Sequence, residues 1–134
     1  MVIELSYLSA SVALFGAMIF VQALFSNLEH KLGDLAGSRD GIIDNNPRTM
    51  RAKRANQNMI EGLLLFAPLV LIAAQSGRLS ETTALGTALF FWGRVAYAPL
   101  YWFGVPWLRT VAWTVSLLGI LLVFSEVLPF SGGA

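Results

Sequence analysis

The chain lacks cysteine altogether and contains a single histidine, His30. The absence of cysteine excludes disulfides, catalysis by a protein thiolate and cysteine-ligated metals. One histidine is too few for a histidine-based zinc site, so no metal site is predicted. Charge is also scarce: Asp, Glu, Lys and Arg make up 13% of the 134 residues, and the formal net charge is +1. A generally basic nucleic-acid-binding protein is thereby excluded.

The chain is rich in apolar residues, which make up 56% of it. Soluble domains typically have about 45–50% apolar and about 25% charged residues. The composition therefore excludes a disordered chain and argues against an ordinary soluble protein. It predicts a protein that resides in a membrane.

Three long apolar segments and one shorter segment predict four membrane-spanning helices, since a span requires about 20 mostly apolar residues. The first segment, residues 5–25, carries no charged side chain. The predicted helices cover residues 4–28, 47–75, 80–102 and 107–128, within a single domain of residues 1–134. The predicted fold class is all-α, an integral membrane four-helix bundle with short connections.

The second helix is predicted to extend well beyond its apolar part, because residues 62–74 alone are too few to cross a bilayer. Asn46 is a favourable N-cap, and Pro47 suits the first helical position. A helix over residues 47–75 would be about 43 Å long at 1.5 Å per residue. Its polar first half would therefore lie partly inside the membrane.

Basic residues are distributed unevenly between the two sides of the predicted bundle. The first loop and the start of the second helix contain Lys31, Arg39, Arg48, Arg51, Lys53 and Arg54. The third loop leads into Arg109, whereas the second loop has Arg78 alone, next to Glu81. The positive-inside rule then places the first and third loops in the cytoplasm and both termini on the opposite side.

One face of the second helix combines basic, amide and acidic side chains. The helical period places on this face Arg51, Arg54, Asn58 and Glu61. Ionisable residues at membrane depth usually face the bundle interior and pair there. The alternative is a basic flank that only contacts lipid phosphates, and this interpretation is preferred for Arg48 and Lys53. An orientation signal requires neither Asn nor Glu, so the mixed face predicts a binding site.

The third helix has a similar face, formed by Arg94, Tyr97 and Tyr101 at i, i+3 and i+7. An unpaired guanidinium is costly inside a membrane, so Arg94 is expected to pair with Glu61 or with a ligand. For the tyrosines the alternative is an interfacial aromatic belt, which applies more to Tyr101 than to Tyr97.

The fourth helix opens with Arg109 and Thr110, and Trp113 follows four residues after Arg109. Arg109 alone would be consistent with a topology signal. Its position on the same membrane side as the mixed face of the second helix predicts that it shares that site.

The remaining polar and small residues are predicted to be structural. Ala13/Ala17 and Ala84/Ala88 have the spacing of small residues that permit close helix contact. Glu4 lies at the edge of the first span and is expected at the membrane interface.

Three motifs together resemble the MAPEG family, the membrane-associated proteins of eicosanoid and glutathione metabolism. Residues 51–61, RAKRANQNMIE, are similar to the family's signature in the second helix. Residues 93–97, GRVAY, with Tyr101 resemble the signature of the third helix, and Arg109-Thr110 is similar to an Arg-Ser pair that begins the fourth. The likeness is to bacterial-type members resembling microsomal glutathione transferase.

The resemblance implies a homotrimer in the lipid bilayer, with a glutathione site between neighbouring subunits. The implied glutathione-binding residues are Arg51, Arg54, Asn58, Glu61, Arg94, Tyr97 and Tyr101. The arginines among them would bind the peptide carboxylates, while Asn58 and Glu61 would hold the γ-glutamyl amino group. Arg109 would face the sulfur and Thr110 would donate a hydrogen bond, so these two are the candidate catalytic residues.

The implied function is that of a glutathione-dependent transferase or peroxidase acting on lipophilic electrophiles in a bacterial inner membrane. The substrate would bring the thiol that the chain lacks, and an arginine would stabilise its thiolate. One alternative is a non-enzymatic member of the fold that binds glutathione or a lipid. Another is a small four-span transporter, which would be expected to carry a carboxylate inside the first span, where this chain has only Glu4 at the edge.

Overall fold

The computed structural model describes residues 1–29 and 46–130, and these residues form four helices and no strands. The helices are α1 (Ile3–Glu29), α2 (Pro47–Gln75), α3 (Glu81–Trp102) and α4 (Pro106–Glu126). The all-α, four-helix architecture predicted from the sequence is confirmed. Three residues named in the sequence analysis lie outside the described residues: His30, Lys31 and Arg39.

Among the described helices, α1, α2 and α4 are long and apolar enough to cross a membrane. The helix α3 does not reach the same hydropathy, although its 22 residues would extend about 33 Å at 1.5 Å per residue. Thr83, Thr87 and Arg94 lower its hydropathy, and all three are buried in the bundle. The chain is therefore an integral membrane protein whose third helix keeps its polar groups away from lipid.

The connections and contacts define the order of the bundle. Five residues, 76–80, join α2 to α3, and three residues, 103–105, join α3 to α4. The helix α1 packs against α2 and α3, while α4 packs against α3 and α2. The helices α1 and α3 run parallel, because Glu4 bonds to Thr83 where both begin, and Phe25 contacts Trp102 where both end, with ring centroids 6.2 Å apart.

The start of α2 is determined by its local sequence. The side-chain oxygen of Asn46 accepts a hydrogen bond from the backbone N–H of Arg48 at 2.9 Å, and Pro47 is the first residue of the helix. The predicted cap and helix start are confirmed. This early start matters for function, because it continues one helix through the polar segment that carries Asn58 and Glu61.

Glycines bring α3 and α4 together at two positions. A Cβ on Gly86 would lie 2.7 Å from the carbonyl oxygen of Gly119, and a Cβ on Gly93 would lie 2.9 Å from the backbone nitrogen of Ser116. Both distances are too short for a real side chain, so the two helices touch backbone to backbone. The contact at Gly93 also fixes its neighbour Arg94 beside α4.

Glu4 lies in the first turn of α1, and the structure gives it a partner that the sequence did not predict. Its carboxylate is buried, with 4% of the residue exposed, and accepts a hydrogen bond from the hydroxyl of Thr83 at 2.7 Å. Thr83 lies in the first turn of α3, after the N-cap Ser80. The carboxylate therefore lies near the N-terminal end of α3. The contact joins α1 to α3 at the end of the bundle opposite to the polar segment of α2.

Candidate functional site

One face of α2 packs against one face of α3. On α2, Asn58, Gly62 and Phe66 recur every four residues, and on α3 Phe90 and Arg94 have the same spacing. The helical period places each set on one face. The rings of Phe66 and Phe90 stack with centroids 3.9 Å apart and planes 14° apart. This aromatic pair forms the apolar boundary of the region around Arg94.

Arg94 is the central polar residue of the interface. Only 3% of it is exposed, and its Nη1 donates a hydrogen bond to Asn58 Oδ1 at 2.5 Å. Its guanidinium carbon lies 5.0 Å from the Tyr97 ring centroid and 5.6 Å from the Phe90 ring centroid, contacts that favour a cation. Its Nε is buried without an acceptor in the part of the chain that the structure describes. A buried cation with an unfilled donor is a favourable place for an anionic group of a ligand.

The hydrogen bond of Arg94 goes to Asn58, whereas the sequence pointed to Glu61 or a ligand as the partner. Glu61 lies three residues further along α2, is exposed, and lines the same cavity as Asn58 and Arg94. The amide oxygen of Asn58 accepts from the guanidinium without neutralising it. The site therefore keeps a cation on one side and a carboxylate on the other.

A cavity of about 150 Å³ lies between α2, α3 and α4, and is called the first cavity below. Its polar side is formed by Asn58, Glu61 and Arg94. The rest of its lining is Gly62, Leu65, Trp113, Leu117 and Ile120. The first cavity thus combines a guanidinium, a carboxylate and an apolar wall, and suits a ligand with charges of both signs beside an apolar partner.

A second cavity, of about 100 Å³, is lined by Tyr97, Arg109, Thr110 and Trp113. The guanidinium carbon of Arg109 lies 4.6 Å from the ring centroid of Tyr101, and the rings of Tyr97 and Tyr101 are 5.4 Å apart. Trp113 lines both cavities, so its indole is their shared wall. The two arginines of α3 and α4 therefore belong to adjacent cavities.

Arg51 and Arg54 line neither of these cavities. The Nε of Arg51 donates to the carbonyl oxygen of Trp102 at 2.9 Å, so its side chain caps the C-terminal end of α3. Arg54 is exposed. The single chain thus brings Asn58, Glu61 and Arg94 together but leaves the two basic residues of the same helix face apart from them.

The sequence analysis named Trp113 but missed three other residues that line the first cavity, Gly62, Leu117 and Ile120. Gly62 follows Asn58 by four residues, so the helical period places it on the same face. Leu117 follows Trp113 by four residues and Ile120 follows three later, which is again one face. These spacings are readable in the sequence. In a mostly apolar helix, however, periodicity alone does not distinguish a face that lines a cavity from one that contacts lipid.

A larger and shallower groove of about 740 Å³ lies near the other end of α2. It is lined by Leu5, Leu71, Ile72, Ala74, Gln75 and Ser76. None of these side chains is ionisable, so the groove offers no charged group to a polar ligand. The candidate site is therefore the pair of smaller cavities, which hold the ionisable side chains.

A known protein family matches most of the chain. The family model of the MAPEG family matches residues 7–128, a range that includes every residue lining the two cavities. No curated protein and no solved structure matches the chain.

Proposed function

Because this chain belongs to the MAPEG family, we propose that it is a membrane-embedded, glutathione-dependent transferase or peroxidase acting on lipophilic electrophiles. The observation that carries the proposal is the buried Arg94, which lines the polar side of a largely apolar cavity and whose Nε has no acceptor among the described residues. Carboxylates match the geometry of a guanidinium. Glutathione offers two carboxylates, an ammonium group and a thiol.

The first cavity supplies groups for both charges of the γ-glutamyl end of glutathione. Arg94 donates to the carboxylate, while Asn58 and Glu61 accept hydrogen bonds from the ammonium group. Arg51 and Arg54 line neither cavity of the single chain. Their proposed role, binding of the other carboxylate, is therefore assigned to a site between adjacent subunits of a homotrimer.

The second cavity is the proposed place of the chemistry, with Tyr97 and Tyr101 beside it. Glutathione supplies the thiol, which loses its proton to solvent, and the sulfur of the thiolate bonds to the electrophilic carbon as the leaving group departs with its electron pair. A guanidinium next to sulfur favours the nucleophilic thiolate over the thiol, and this role is assigned to Arg109. Thr110 assists as a hydrogen-bond donor when its hydroxyl turns away from the Pro106 carbonyl, its acceptor in the structure.

The test uses the purified protein in lipid nanodiscs with glutathione and chlorodinitrobenzene. We expect a thiolate absorbance band on addition of glutathione and formation of the conjugate with the electrophile. Arg109→Ala should lower the rate of conjugation about a hundredfold, because it removes the charge that stabilises the developing anion. Arg78→Ala, in the α2–α3 connection and outside both cavities, is the matched control and should keep the activity.

Two results would contradict the transferase assignment. One is the absence of a thiolate band in the unaltered protein, and the other is equal turnover by Arg109→Ala. Calorimetric binding of glutathione without turnover on a panel of electrophiles would instead identify a non-enzymatic glutathione-binding member of the fold. Proton-coupled drug uptake into proteoliposomes would identify a transporter.

A further inference from the structure

We propose that Gly62 is a positioning residue whose missing side chain forms a notch in α2, and that this notch holds the Arg94 guanidinium in the first cavity. A Cβ on residue 62 would lie 2.8 Å from Arg94 Nη2 and 3.3 Å from Arg94 Cζ. The first distance is shorter than real Cβ atoms allow. The guanidinium therefore occupies the volume that any larger residue at position 62 would need.

The neighbours of the notch define its two ends along α2. Asn58, four residues before Gly62, accepts the hydrogen bond from Arg94 Nη1. Phe66, four residues after Gly62, stacks on Phe90, whose ring edge would lie 3.4 Å from a Cβ on residue 62. The guanidinium is thus bounded by an amide acceptor at one end and an aromatic pair at the other.

The backbone gives no reason for a glycine at this position. Gly62 lies inside α2 and is not among the residues with positive φ. Glycine is the poorer helix former in a helix interior, where alanine is favoured. The packing of Arg94 supplies the reason, since it is the nearest neighbour of the position that a Cβ would take.

The notch determines the position of the Arg94 guanidinium, and therefore the position of the positive charge in the first cavity. A methyl group on residue 62 would meet the end of a flexible side chain rather than backbone. We therefore expect α2 and α3 to keep their spacing while the guanidinium moves away from Asn58. The consequence for glutathione rests on the proposed function, whereas the contact between Gly62 and Arg94 does not.

The binding experiment compares Gly62→Ala with Gly16→Ala in the full chain in nanodiscs. Gly16 is an exposed helical glycine of α1 with nothing within 4 Å of its Cβ position, so it is the matched control. Gly62→Ala is expected to weaken glutathione binding about tenfold in calorimetry, because it displaces a charged donor. Gly16→Ala should bind like the unaltered protein. Equal affinity of the two variants would overturn the proposal.

A second experiment needs no glutathione. Lysine has an ammonium group instead of the planar guanidinium of arginine, so Arg94→Lys should leave the space beside Gly62 unfilled. We expect Gly62→Ala to lower the midpoint temperature of unfolding when Arg94 is present and to raise it when combined with Arg94→Lys. An equal decrease in both backgrounds, or failure to fold in both, would overturn the proposal.

The two experiments separate the notch from the proposed function. If the unaltered protein binds no glutathione, the proposed function fails, while the unfolding comparison still decides the role of Gly62. In the opposite case, the protein binds glutathione, but the effect of Gly62→Ala on unfolding does not depend on Arg94. The proposed role of Gly62 is then contradicted, and the proposed function is not.

Discussion

A guanidinium has five N–H donors, and those of Arg94 are buried in the interior of a membrane protein. Among the described residues Asn58 is its hydrogen-bond acceptor, and the rings of Tyr97 and Phe90 supply further stabilisation. Neither the amide nor the rings carry a charge, and the carboxylate of Glu61, which lines the same cavity, is not among the hydrogen-bond partners of the guanidinium in the described residues. This is the condition under which a buried arginine attracts an anionic ligand.

Trp113 is expected to limit the size of the electrophile, because its indole is the shared wall of the two cavities. Trp113→Ala should join them and raise kcat/KM for a bulky aryl halide, relative to a small one, about tenfold. Trp107→Ala is the matched control on the same helix, since Trp107 is 82% exposed and lines neither cavity. An equal loss of kcat/KM for both halides would mean that Trp113 supports the site without selecting the substrate.

At the scale of helices, the tightest contact joins α3 to α4 through their glycines. Gly86→Ala should lower the free energy of unfolding by about 1–3 kcal/mol, although alanine is the better helix former. The reason is that its Cβ would lie 2.7 Å from the backbone oxygen of Gly119, which has no freedom to move aside. Denaturant unfolding in mixed micelles measures the difference. Gly16→Ala, at an open position, should be neutral or stabilising, and an equal loss in both variants would contradict this explanation.

Local signals in the sequence predicted the elements more reliably than the contacts between them. Asn46 and Pro47 begin α2 as expected, because a helix cap depends only on the next few residues. Ala13 and Ala17 have the spacing of a close helix contact but are exposed, and the tightest contacts lie at the glycines of α3 and α4. Small-residue spacing shows that a helix permits close approach, and it does not show which helix approaches.

The same distinction applies to the candidate site. Helical periodicity predicted that Asn58 and Glu61 share a face, and both line the first cavity. It did not predict that Arg94 bonds to Asn58, because this depends on how α2 and α3 shift along each other. Arg51 lies on the same face, seven residues before Asn58, and that separation is about 10 Å along the helix. Its side chain therefore reaches the end of α3 instead of the cavity.

At the scale of the whole molecule, apolar side chains cover much of the surface. The large exposed apolar residues of the helices include Ile19, Phe20, Leu64, Leu118 and Leu121. In water such a surface would cause aggregation, whereas in a bilayer it contacts lipid or a neighbouring subunit. Among the described residues, basic side chains begin α2 and Arg94 is buried beside it, whereas Glu4, Arg78 and Glu81 lie at the opposite end of the bundle. The low charge of the sequence therefore agrees with a surface that contacts lipid rather than water.

The absence of cysteine makes the membrane orientation testable by single-cysteine labelling. Ser76→Cys lies in the α2–α3 connection and Phe103→Cys in the α3–α4 connection, and both positions are exposed. The distribution of basic residues predicts that an impermeant maleimide labels Ser76→Cys in intact cells. Phe103→Cys should be labelled only after permeabilisation, and the unaltered chain is the internal control. The reverse pattern would place the arginine site on the opposite side of the membrane.

A structure of the protein with glutathione, determined in a lipid nanodisc, is the most direct test of the role of Arg94. We predict density for the tripeptide in contact with Arg94 and Asn58, with an ammonium group at Glu61 and the sulfur towards Arg109. Density at a place remote from these residues, or none at saturating glutathione, would contradict the assignment of the first cavity as the glutathione site.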